Sequence, residues 1–133
     1  MPTLSADQLT SLAQDFHDIG VAVGQFRLDR IHDGEPLDEP RIVQLLGQQF
    51  SLLNVSSTFA LQAAQVELAD ADRAAAEIRS ATDQANAAIE QTAAINKVVT
   101  IASASIVLAA AVFTGDMGQI FTAAGGVKAA IAG

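Results

Sequence analysis

The chain has 133 residues, half of them apolar, with six Phe, no Trp, Tyr or Cys, and fifteen acidic against seven basic side chains for a net charge of −8. That length and apolar content support one domain with a buried core, and the lack of Cys excludes disulfides and thiolate metal sites. The acidic balance argues against nucleic acid as a partner and against electrostatic capture by anionic lipid, since both need clustered Lys and Arg. Ala is the dominant apolar residue and Pro occurs only at positions 2, 36 and 40, so the composition predicts an all-α fold built by close helix contacts.

The opening residues MPTLSADQLTSLAQDF lack the basic n-region and apolar h-region of a Sec signal peptide. The expectation is a cytoplasmic protein or one exported by a signal-independent route, and the sequence does not choose between them. A first helix is predicted from Ser5, where Gln8 three residues later completes a capping-box pattern and Asp7 suits a helix N-terminus. Leu9, Leu12, Phe16, Ile19, Val23 and Phe26 then alternate at spacings of three and four, with Ala13, Ala22 and Leu28 widening the stripe. The helix should end near Ile31, about 40 Å from its start. Within it, Gly20 and Gly24 form a G-x-x-x-G. Charged flanks exclude a membrane span there, so the pair reads as a notch for a closely packed partner helix.

His32–Glu39, HDGEPLDE, is a loop with Gly34, Pro36 and a run of acids. As a calcium loop starting at Asp29 it fails, because Ile31 and Pro40 occupy ligand positions. A second helix is predicted from Asp38 or Glu39 as cap with Pro40 in its first turn. The first and second helices should pair as an antiparallel hairpin, about 5–31 with 40–67.

From Gln48 to Thr114 there is neither Gly nor Pro, and one heptad register can be followed through Leu46, Phe50, Leu53, Ser57, Ala60 and Ala64. It continues through Ala71, Ala74, Ile78, Ala81, Ala85 and Ala88, then Thr92, Ile95, Val99, Ala102, Ile106, Ala109 and Phe113, with Glu67 its one charged member. A continuous helix over this span would be about 110 Å long, so the expectation is a long Ala-rich coiled-coil rod or a rod that folds back once. If the rod folds back, the weakest stretch is Ser80–Asn86, where Ser80 with Asp83 offers a helix start and Thr82 and Asn86 lower helix propensity. Alanine seams bury little area per residue, so Ala71, Ala74, Ile78, Ala81, Ala85 and Ala88 are predicted to form an oligomer seam needing several neighbours.

Fourteen of the fifteen acids and six of the seven bases precede Val98. The chain therefore divides into an acidic amphipathic stalk, 1–97, and an apolar helical hairpin, 98–133. The run VVTIASASIVLAAAVF from Val98 to Phe113, extended to Gly115, gives eighteen uncharged residues, the lower limit for a bilayer span. After turn chemistry at Thr114–Gly118, Met117, Ile120, Phe121, Ala124, Val127 and Ile131 share one helical face. The candidate membrane or assembly residues are Val98, Val99, Ile101, Ile106, Val107, Leu108, Val112, Phe113, Ile120 and Phe121.

His17 and His32 lie beside Asp18 and Asp33 without converging partners, and no phosphate-loop, dinucleotide, zinc-protease or nucleophile-elbow motif occurs. The chain is expected not to be an enzyme, with no cofactor, no metal and no small-molecule substrate. An acidic helical body followed by an apolar hairpin resembles, in layout, the α-helical pore-forming proteins, whose soluble bundles hide an apolar hairpin until assembly. That resemblance implies a membrane-active or membrane-associated helical oligomer, possible pore formation, and a lipid bilayer and copies of the chain as partners. Two alternatives fit the same features: a self-assembling filament, sheath or ribbon subunit with its apolar tail buried between protomers, and a helical adaptor whose tail completes a partner's bundle.

Overall fold

The computed structural model describes residues 2–133. Among them are five helices, α1 (Ala6–His32), α2 (Pro40–Ala63), α3 (Ala71–Gln91), α4 (Ile95–Thr114) and α5 (Met117–Ala132), and no strand. The first boundary follows the capping logic: Ser5 Oγ accepts from the Gln8 amide at 3.1 Å while Gln8 Oε1 accepts from the Ser5 amide at 2.8 Å. Glu39 caps α2, its carboxylate accepting from the amides of Arg41 and Ile42 at 2.8 and 3.1 Å, with Pro40 opening the helix. Gly115 ends α4 at φ 72°, in the left-handed region. Asp116 then caps α5 by accepting from the Gln119 amide at 3.1 Å.

The run from Gln48 to Thr114 is not one rod. It breaks after Ala63 and again after Gln91, and α3 passes unbroken through Ser80–Asn86. The first break falls around Glu67, the charged member of the heptad series. The chain unwinds there, leaves Glu67 exposed and plugs the fully buried Leu68 into the core. The Leu68 amide donates to the Pro2 carbonyl at 2.8 Å, and Asp70 caps the new helix through the Arg73 amide. At the second break Thr92 is extended and its hydroxyl accepts from the Ala94 amide at 3.2 Å. Thr82 does not break α3 because its hydroxyl is satisfied at the Arg79 carbonyl (3.1 Å) and at Asp15 (3.4 Å).

These breaks let the helices pack side by side in the cyclic order α2, α1, α3, α5, α4 and back to α2, with α4 also reaching α3 and α1. Cross-helix bonds fix the directions. Gln8 donates to Asp72 and Lys128 pairs with Glu77 at 2.9 Å, so α1, α3 and α5 run together; Arg41 meets Asn96 and Gln48 meets Ser103, so α2 and α4 run together the other way. The two hairpins, α1–α2 and α4–α5, therefore form as expected. Gly20 is the notch between α1 and α2: a Cβ there would lie 3.0 Å from a Leu53 methyl and 3.3 Å from the Leu52 Cβ.

One core holds the bundle. Phe16, Ile19 and Val23 of α1 face Leu45, Leu52 and Phe59 of α2, all fully buried. On α2 the buried face is displaced one residue from the predicted seam: Leu45, Leu52, Phe59 and Ala63 are inside while Phe50 is 61% exposed. Two overlapping series at spacings of three and four run along this helix, and the one starting at Ile42 carries more apolar volume. Leu28, expected to widen the α1 stripe, is 56% exposed.

Asp15 is the buried acid of the core margin. Arg79 Nε lies 4.0 Å from its carboxylate, at the reach of an ion pair. Burial, then the negative charge of Asp83, raises its pKa from 3.8 to about 6, against the opposing pull of Arg79. Because the folded value is the higher one, the folded chain binds the extra proton between those limits, so this group favours folding below pH 3.8 and ceases to do so as pH rises through 6. Asp15→Asn is expected to stabilise the protein at pH 7 by roughly 1–3 kcal/mol and to leave stability near pH 4 almost unchanged. Urea unfolding of both proteins at the two pH values measures the difference.

Candidate interaction surface

The predicted membrane or assembly residues converge on α4 and α5, but most of them point inward. Val98, Ile101, Leu108, Val112 and Ile120 are fully buried, Val99, Ile106, Phe113 and Phe121 are half-buried, and Val107 alone is exposed, at 59%. Of the predicted α4 seam, Ile95, Ala102 and Ala109 are buried as expected, while Val99, Ile106 and Phe113 are half-buried and the centre of the buried face shifts to Val98, Ile101, Ser105, Leu108 and Val112. Ser105 is tolerated in the core because its hydroxyl donates to the Ile101 carbonyl at 2.8 Å.

The seam assigned to an oligomer is covered within the chain. Ala71, Ala74, Ile78, Ala81 and Ala85 are buried and Ala88 is half-buried, on a helix packed between α1 and α5. Small side chains there bring three helices of one chain together, so this seam requires no second copy.

Three ties hold the hairpin in the bundle. Gln48 of α2, nine-tenths buried, donates to the Val99 carbonyl at 3.0 Å and to Ser103 Oγ at 2.8 Å, while its own Oε1 is buried without a partner. Phe59 stands between Phe16 and Phe113 with ring centroids 5.5 and 5.7 Å apart, joining α1, α2 and the last turn of α4. Arg73 sits 4.7 Å over the Phe121 ring and Glu77 holds Lys128, which fastens α5 to α3.

The exterior is divided by charge. In the five-helix ring α2, α4 and α5 are consecutive, and their only charged side chains are Arg41, Lys97 and Lys128, with no acid among them. The α1–α3 side carries Asp7, Asp15, Asp18, Asp29, Asp72, Glu77, Asp83 and Glu90 against Arg27, Arg30, Arg73 and Arg79. On the side free of helix acids an apolar groove of about 730 Å³ runs between α4 and α5, lined by Ala104, Val107 and Ala111 against Gly118, Thr122 and Gly126. Val43, Phe50 and Leu61 of α2 are exposed on the same half of the ring. The outward faces were not singled out in the sequence, although the charge-free run from Ile42 to Val66 was a usable signal.

Nothing in this surface resembles a reaction centre. Both histidines are exposed, and among the described residues no group of three His, Asp or Glu side chains could hold a metal. A second groove of about 650 Å³ beside α1 and the end of α3 is rimmed by Asp18, Asp29, Asp33 and Glu90. The class of protein defined by the geometry is an all-α five-helix bundle with its helix acids confined to the α1–α3 side. Compared with known proteins, the chain matches no protein family, and no curated protein and no solved structure matches it.

Proposed function

We propose that this protein is a membrane-associated helical protein whose α4–α5 hairpin enters the bilayer, and that the five-helix bundle is its water-soluble form. The observation that supports this reading is the coincidence of two properties on one element. Helix α4 is the one helix among the described residues long and apolar enough to cross a bilayer, and it lies on the side of the bundle without an acidic helix residue. In water its apolar face is sheltered by α1, α2 and α3; in lipid the same face needs no shelter. Helix α5, at sixteen residues, is short for a full span, so it follows α4 as the second arm of a hairpin.

Asp116 at the hairpin tip is the acid that entry must carry into lipid, where a carboxylate costs about 2.5–3.5 kcal/mol near the bilayer centre. Asn at this position keeps an N-cap acceptor for α5. Flotation with neutral liposomes and release of an entrapped dye test the proposal. Asp116→Asn is expected to raise the bound fraction and the leakage severalfold, and Val107→Asp, at a position already exposed in the bundle, to abolish both while leaving the fold intact. Wild-type protein that neither floats with liposomes nor releases dye, and is unchanged by Asp116→Asn, overturns the reading. The second reading, a self-assembling structural subunit, is favoured by the exposed Val43, Phe50 and Leu61 on α2; large regular particles formed without lipid would establish it instead.

A further inference from the structure

We infer that the α4–α5 groove is a self-association surface, and that two copies of the bundle pair through it in antiparallel fashion about a twofold axis near Val107. The groove is an open apolar seam. Along the groove side of α4, Lys97, Thr100, Ala104, Val107 and Thr114, with the buried Ala111 as floor, recur at spacings of three and four, the pattern of a helix that packs on another helix. Its two threonines are apolar in effect. Thr100 donates its hydroxyl to the Asn96 carbonyl at 2.9 Å and Thr114 to the Ala111 carbonyl at 2.6 Å, so neither needs an outside partner. Across the groove, added bulk at Gly126 would meet nothing within 4 Å, so this wall is low enough for a second helix to approach closely.

Charge selects the occupant. A chain of net charge −8 repels its own copies, and the repulsion is strongest on α1 and α3, where eight acids outnumber Arg27, Arg30, Arg73 and Arg79. The α4–α5 seam is bounded instead by one base and one acid, Lys97 at the start of α4 and Asp116 at the hairpin tip. Neither makes an ion pair among the described residues. From Lys97 to Thr114 the seam is about 26 Å long at 1.5 Å per residue. An antiparallel partner places each Lys97 beside the other copy's Asp116 and brings the midpoint, Val107, against its own copy. A parallel partner would set Lys97 against Lys97 and Asp116 against Asp116. A seam of that length and two helices' width, about 20 Å, covers roughly 500 Å² per chain or about 1,000 Å² in all, the size of a weak, transient interface, so the dimer is expected to be reversible and concentration-dependent.

This surface is distinct from the α3 seam, which is consumed inside the chain. The pairing does not depend on the hairpin entering lipid, and its test contains none.

Sedimentation equilibrium of the full chain across a concentration series is the experiment. The expected result is a reversible rise from 13.7 kDa toward twice that mass. Val107→Glu should hold the protein at the monomer mass with unchanged helix content, and Lys97→Glu should weaken the dimer about tenfold or more by setting two acids together. Because the chain contains no cysteine, Val107→Cys gives one thiol per copy. Under mild oxidation it should link two chains far faster than Leu61→Cys, which is 83% exposed on α2. Three results overturn the proposal: a monomer at every concentration, a dimer indifferent to Val107→Glu or Lys97→Glu, or Val107→Cys linking no faster than Leu61→Cys.

Discussion

Phe59→Ala should destabilise the protein by about 3–5 kcal/mol and lower its melting temperature by roughly 10–20 °C. Phe59 is fully buried and is the middle ring of the chain Phe16, Phe59, Phe113. Truncation removes the apolar transfer term, leaves a cavity where three helices meet and breaks two tilted ring contacts worth about 0.5–1.5 kcal/mol each. Against a typical total stability of about 5–15 kcal/mol the loss is large. It also bears on function. Phe113 lies in the last turn of α4, so losing its ring partner loosens the hairpin near its tip, and liposome binding by Phe59→Ala should rise as stability falls. Urea unfolding and flotation of the same preparation measure both. Phe50→Ala is the control: that ring is 61% exposed, and its removal should change stability by no more than about 0.5 kcal/mol. Equal losses for the two variants would mean that the aromatic cluster does not hold α4 to the bundle.

Ala81→Glu is expected to be worse, because Ala81 is fully buried on α3 between α1 and α5. A carboxylate there would be desolvated without a cation, at about 4 kcal/mol or more, and the chain should lose cooperative unfolding near room temperature. Ala88→Glu, at a half-buried position of the same face, should cost about 1 kcal/mol. Thermal melts followed by circular dichroism, with sedimentation of each variant, separate two roles for the seam. If Ala81 served contacts between chains, Ala81→Glu would yield a folded, dispersed monomer; as a core position within the chain, it yields an unfolded one.

The contrast shows where the sequence was legible. Capping signals at Ser5 and Glu39 and the left-handed Gly115 are local chemistry, and local chemistry placed three of the helix ends, while Asp116 proves to be the cap of α5 within what read only as a turn. The α1 stripe was readable because a single apolar series fits it. On α2 and α4, rich in apolar residues all round, two neighbouring series fit almost equally well, and only packing against real neighbours chooses Leu45 over Leu46 or Val98 over Val99. The breaks at 64–70 and 92–94 contain no Gly or Pro. At the first of them Leu68 is drawn into the core and its amide pairs with the Pro2 carbonyl, a tertiary contact that no local signal announces. A seam of alanines looked too thin for one chain because two helices were considered; with three around it, small residues are what close approach requires. The groove on the outer side of α4 could not be read at all, since it is defined by what fails to cover it.

With the helix acids confined to the α1–α3 side, α4 stands on the side of the bundle from which, in the proposed role, it exchanges a protein environment for lipid. An environment-sensitive fluorophore attached at Val107→Cys, the single thiol of the chain, reports on this directly. With neutral liposomes its emission should shift to the blue and be quenched by a quencher placed in the acyl region of the bilayer. Emission unchanged by lipid and quenched only from the aqueous phase would contradict membrane entry by the hairpin.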